Sequence, residues 1–226
     1  MIGQELRSVK ERIAAAAARA GRDPSAVRIV AVTKGHPLPL AQEAAAVGLL
    51  DLGENRVRDA LGKMDAWPGA PVRWHLVGHL QRNKVRHVVG RFVLIHSLDS
   101  VRLADALQEA AAARDVVQDV LVEVNVARED RKTGCPPPEV PALVEHAAGL
   151  SHVAVRGLMT MAPFTADVAA QRRTFAGLRQ IREELVGRGF RLSELSMGMT
   201  NDFETAVEEG ATMVRLGTVL FGERSI

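Results

Sequence analysis

Eight short apolar runs, rich in β-branched residues and spaced by helical patterns, constrain this chain more than any other feature. The first is Val27-Arg28-Ile29-Val30-Ala31-Val32-Thr33-Lys34; the others cover 49–53, 72–77, 92–96, 120–125, 153–159, 194–197 and 212–216. Runs of this kind, apolar without strict alternation, belong to strands buried on both faces of a parallel sheet. Between them, apolar residues recur at helical spacing, as in Leu40, Ala44 and Val47, across 99–113, and in Phe175, Leu178, Ile181 and Leu185. A further amphipathic helix, with Ile2, Leu6, Val9, Ile13 and Ala17 on one face, precedes the first strand and is stopped by Gly21 and Pro24. With no composition shift and no long linker, the whole chain, residues 1–226, is expected to form one α/β domain. Its fold is a (β/α)₈ TIM barrel with an extra N-terminal helix. A doubly wound sheet would usually carry a glycine fingerprint after its first strand, and there is none here.

Composition removes several functional classes. Hydrophobic residues are 47% and charged residues 25%, a globular balance without a membrane-length apolar run, so no membrane association is expected. The N-terminus lacks a signal-peptide core, and the one cysteine, Cys135, excludes an internal disulfide and any cysteine-based metal site, so a reducing cytoplasm is the expected location. Net charge is +2, with basic and acidic residues interleaved, which does not argue for nucleic acid. Tyrosine is absent, removing every mechanism that needs a phenolic acid, base or nucleophile.

In a barrel of this type the site lies at the C-terminal ends of the strands. Lys34 is the lysine that ends an apolar strand; Lys10 and Lys63 fall on expected exposed helix faces, Lys84 in a basic helix start and Lys132 in a polar loop. A lysine partly desolvated at the barrel mouth has a lowered pKa and an amine able to attack a carbonyl carbon. The plainer reading is a strand-end lysine with its head in solvent. The last two strands run into Ser196-Met197-Gly198-Met199-Thr200-Asn201-Asp202 and Arg215-Leu216-Gly217-Thr218, small and hydroxylic turns before short helices, with Asn201 as the expected helix cap. Loops after strands 7 and 8 hold a phosphate in many barrels. Singly these are ordinary turns; together with Lys34 they favour a phosphorylated carbonyl compound.

Six motifs in this order, Val30-Ala31-Val32-Thr33-Lys34, Leu52-Gly53-Glu54-Asn55, the segment from Trp74 to Lys84, Arg156-Gly157-Leu158-Met159, Ser196-Met197-Gly198-Met199-Thr200 and Met213-Val214-Arg215-Leu216-Gly217-Thr218, closely resemble the pyridoxal phosphate homeostasis protein family, the YggS or proline-synthase co-transcribed type. The resemblance spans about residues 4 to 224 and implies a fold-type III barrel of the alanine racemase type that binds pyridoxal 5′-phosphate without an established catalytic reaction. It implies that Lys34 holds the cofactor through a reversible Schiff base and that Arg215 faces the pyridine nitrogen. A guanidinium only donates, so that nitrogen would stay an unprotonated acceptor and the ring a poor electron sink. Thr200, Gly217 and Thr218 match the family's phosphate cup, with Ser196 supporting that loop. Asn55 matches the position beside the ring, and His75 and Met159 would line the pocket. The implied role is storage, buffering and delivery of the cofactor by a monomer, with cofactor-dependent apoenzymes as partners. Arg56 and His79 depart from the family pattern at the rim.

Two other readings remain at this stage. A racemase-like enzyme would pair the lysine with a tyrosine on the opposite face; the sequence has no tyrosine and, ending just past the eighth strand, is expected to lack the second domain that would supply one, which leaves a histidine such as His75 or His79 as a second base. A lysine-dependent aldolase fits Lys34 and the phosphate loops but not the ordered motifs. His75 and His79 have the i, i+4 spacing of zinc ligands yet straddle a strand end and its loop, so no metal is expected. Arg82, Lys84, Arg86 and His87 read as a solvated helix face, Cys135 as a loop residue, and Lys132 as a loop lysine that could act as a second aldehyde acceptor.

Overall fold

A computed structural model describes residues 2–127 and 133–223. Eight parallel strands close into a barrel in sequence order: β1 (Arg28–Val32), β2 (Asp51–Glu54), β3 (Arg73–Leu76), β4 (Leu94–Leu98), β5 (Gln118–Glu123), β6 (Val153–Met159), β7 (Glu194–Ser196) and β8 (Met213–Leu216). β8 returns to pair with β1 in the register Val30 to Arg215. Helix α1 (Ile2–Arg19) precedes the barrel, and the connections carry α2 (Leu38–Ala46), α3 (Val57–Ala66), α4 (Val85–Val88), α5 (Val101–Ala112), α6 (Val140–Ala148), α7 (Val168–Gly187), α8 (Phe203–Glu208) and α9 (Thr218–Phe221). Among the described residues no helix is long and apolar enough to cross a membrane.

Side chains alternate across each strand, and this divides the apolar residues into two bodies. The outward set, with Trp74, Leu76, Ile95, Val120 and Leu158, packs under the helices. The inward set, Val30, Leu94, Leu121, Met159 and Met213, forms a separate belt inside the barrel. Between the belt's residues the interior is polar, which the apolar look of the strands does not announce: Asp51, His75, His96, Ser196 and Arg215 are all buried there.

The second strand begins two residues later than its apolar pattern suggests. Leu49 is buried, but as part of the turn that ends α2. Gly48, at φ +90, lets its own N–H reach the Ala45 carbonyl and that of Leu49 reach the Ala44 carbonyl. This is the glycine-terminated helix end in which the next apolar residue folds back onto the last turn. Leu49 is apolar to close that turn rather than to extend the sheet.

Candidate functional site

A cavity of about 240 Å³ opens at the C-terminal mouth of the barrel. Lys34, Asn55, Thr200, Arg215, Gly217 and Thr218, from the ends of β1, β2, β7 and β8, all line it. The segment 161–165 after β6 supplies a further wall, with Phe164 almost wholly exposed at the rim.

Lys34 is set by a tight turn. The Thr33 N–H donates to the Gly53 carbonyl at 3.0 Å, keeping the chain in sheet register one residue past β1. Then the His36 N–H closes on the Thr33 carbonyl at 3.1 Å, and Gly35 takes φ +75. A turn with a positive φ at its third residue needs glycine there, and it fixes the residue before it. Behind the turn, Lys63 Nζ donates to the Thr33 carbonyl at 2.8 Å and also to Glu54, while Thr33 Oγ1 donates to Glu54 Oε1 at 2.6 Å. Lys63 was expected on an exposed helix face; its side chain is only 10% exposed, because the buried Glu54 carboxylate draws it under α3. The helical pattern around Lys63 gives no warning of an acid buried on a neighbouring strand.

Arg215 is buried on the inner face of β8. Its Nη1 donates to Ser196 Oγ at 2.7 Å and its Nη2 to the Thr160 carbonyl at 3.0 Å. Burial lowers its pKa to about 10 against the opposing pull of Asp202 and Glu123, so the guanidinium remains charged at neutral pH. Thr200 and the β8 turn meet across the cavity: the Val219 N–H points at Thr200 Oγ1 at 3.4 Å. Thr218 begins α9, so its N–H lies in a first turn, where the helix itself provides no acceptor. Asp202, not Asn201, occupies the position before α8; its carboxylate accepts from the Met199 N–H at 2.5 Å and holds the preceding loop. Asp202 also lines the cavity, a role the sequence reading did not assign. Its place one residue before an apolar helical face was the available signal.

Three expected site residues do not line this cavity. Met159 belongs to the apolar belt inside the barrel. His75 points inward from β3, hydrogen-bonded to Asp51 and His96, because alternation turns it into the barrel while Trp74 and Leu76 face the helices. Ser196 sits beneath the cavity floor and supports Arg215 rather than the β7 loop. His79 is close to Asp99 at 3.4 Å. Cys135 is buried, and burial, with Glu139 and Asp99 nearby, pushes its thiol up to about 11. Lys132 lies outside the described residues.

A family model described as alanine racemase, N-terminal domain, matches residues 5–225. Pyridoxal phosphate homeostasis proteins of Aquifex aeolicus and Pseudomonas aeruginosa are 44% and 42% identical, covering 98% and 99% of this chain and 97% and 96% of their own. The chain belongs to this family. The structure of PipY of Synechococcus elongatus, with PLP bound, superimposes with a TM-score of 0.87 at 35% identity, covering 98% of this chain and 100% of that one. PipY thus shares this barrel over its full length.

Proposed function

We propose that this chain binds pyridoxal 5′-phosphate at the barrel mouth and serves its homeostasis inside the cell, storing, buffering and releasing the cofactor. The observation that carries this is the convergence, on one cavity, of an amine, a buried guanidinium and a cup of hydroxyl and first-turn N–H donors. Those donors fit the group. The cofactor brings an aldehyde, a ring nitrogen and a phosphate, and the cavity offers one kind of partner to each.

When bound, the cofactor supplies an aldehyde that an amine captures reversibly. Lys34 provides that amine, held in place by the Gly35 turn and by Lys63 behind it. Thr200, Gly217 and Thr218 take the phosphate, and Asn55 orients the ring edge. Arg215, charged and able only to donate, faces the ring nitrogen and keeps it an acceptor, which restrains carbanion chemistry. The chain works as a monomer in the cytoplasm and passes cofactor to apoenzymes. Its buried, weakly acidic Cys135 suits a reducing compartment. Neither His75 nor His79, the second bases that a racemase-like reading would use, is among the described lining residues.

Addition of pyridoxal 5′-phosphate to the purified protein should produce an absorbance band near the visible edge, and borohydride should fix the added mass on the peptide carrying Lys34. A protein that stays colourless with excess cofactor would end this reading. Delivery is tested by mixing loaded protein with an apo-transaminase; recovery no faster than with free cofactor would leave storage and remove delivery.

A further inference from the structure

Below the cavity the barrel carries a row of buried polar side chains that the proposed function does not use. Asp51 on β2, His75 on β3, His96 on β4 and Ser196 on β7 lead to Arg215 on β8, none more than 5% exposed. Polar groups removed from water at this depth cost free energy unless paired, and each of these is paired with the next. Ser196 Oγ lies 2.7 Å from Arg215 Nη1 and 2.9 Å from His96 Nδ1. His96 Nε2 is 3.0 Å from His75 Nδ1, and His75 Nε2 is 2.9 Å from Asp51 Oδ1. At the far end Arg73 grips both oxygens of Asp51, at 2.7 and 2.6 Å.

Donor counting gives the row a direction. A guanidinium only donates and a carboxylate only accepts, so both ends are fixed. Burial above all, with Arg215 and Arg28 nearby, holds the pKa of His96 far below its ordinary value, so its ring carries one proton. If that proton were on Nδ1, His96 Nε2 could only accept, which requires a doubly protonated His75 facing Asp51, and the Ser196 hydroxyl proton would lose His96 as an acceptor. With the proton on Nε2 and His75 neutral, every link is made once: Arg215 to Ser196, Ser196 to His96, His96 to His75, and His75 to Asp51. Tautomers follow from such networks rather than from heavy-atom positions alone.

We infer that His75 and His96 are positioning residues for the cofactor site: with Asp51 and Ser196 they form a one-way hydrogen-bond row that fixes the Arg215 guanidinium from the opposite end of the barrel. The consequence for the cofactor rests on the proposed binding role; the row itself does not. Loss of His96 removes the acceptor that turns the Ser196 hydroxyl away from Arg215, and the guanidinium then loses one of its two directed anchors.

The tautomers are measurable without ligand and without a variant. Nitrogen-15 correlation spectra of the imidazole rings in the wild-type protein should show protonated Nε2 and bare Nδ1 on both His75 and His96. A protonated Nδ1 on either ring overturns the row. The effect on the site is read by titrating pyridoxal 5′-phosphate into wild type, His96→Gln and His96→Phe, with thermal melting to confirm folding. Each variant should bind about tenfold more weakly, with a displaced absorption maximum, while borohydride still marks Lys34. Folded variants with unchanged affinity and band position refute the positioning role alone. A wild type that gives no band refutes the binding role instead, and the tautomer spectrum then decides the row; it also decides if neither variant folds.

Discussion

The two ends of the barrel are built by the same strands and finished in opposite ways. At the floor, charge closes on charge: Arg28 with Glu194 at 3.0 Å, Arg156 with Asp119 at 2.9 Å, and Arg73 with both oxygens of Asp51. At the mouth, Lys34 and Arg215 line an open cavity walled by the loops that leave the strands. The contrast shows that residue type does not fix role. Arg73 and Arg215 both sit on inward positions of short strands, yet one plugs the floor and the other lines the site. Loops leaving the C-terminal ends supply turns and first-turn N–H groups, whereas at the floor the chain arrives from helix C-termini and strand-end side chains must seal the opening.

If the mouth alone is built for capture, Lys34→Ala should abolish the absorbance band and the borohydride adduct while the melting profile stays intact. Retention of either in that variant would break the distinction between the ends. Between them, the apolar belt holds the strands apart at fixed distance, and Leu121→Ala should lower stability by about 3 kcal/mol, measured by urea unfolding. Lys63→Met strands the buried Glu54 carboxylate behind the Lys34 turn. It should cost about 3 kcal/mol as well and also weaken cofactor binding, which the belt variant should not do. The floor is sharpened by acid. Burial by itself would raise the Asp51 carboxyl, but the hydrogen bonds it accepts from His75 and Arg73, with the Arg73 charge, hold it well below the usual carboxylate range. A depressed folded-state pKa contributes stability that is complete above the unfolded-state value, about 4, and is lost as pH falls through the folded-state value. Urea midpoints for wild type and Asp51→Asn should therefore differ most at neutral pH and converge in strong acid; a constant gap would show that Asp51 acts by shape alone. Least affected should be Arg28→Ala, at under about 1 kcal/mol, since that side chain is 43% exposed.

Much of the site was visible in the strand ends because a barrel converts a one-dimensional rule, the residue after each apolar run, into convergence at one mouth. Lys34, Asn55, Thr200, Arg215, Gly217 and Thr218 were found that way, and all line the cavity. His75 and Met159 do not line the cavity, since a strand-end position does not say how far down the axis an inward side chain sits. Lys63 was misread because helical periodicity reports the helix's own faces and not the acid opposite one of them. Nothing local marks Asp51, His75, His96 and Ser196 as neighbours, although His96 and Ser196 are 100 residues apart in the chain and 2.9 Å apart in space.

The sequence by itself determined the barrel, its extra helix and the lysine at the mouth, because apolar periodicity and turn residues act over a few positions and each strand repeats the same instruction. Only the tertiary structure decided which inward residues share a layer. Barrel closure brings β2, β3, β4, β7 and β8 around one axis, and the direction of the row from Arg215 to Asp51 exists only once donors and acceptors from all five meet in a space that water has left.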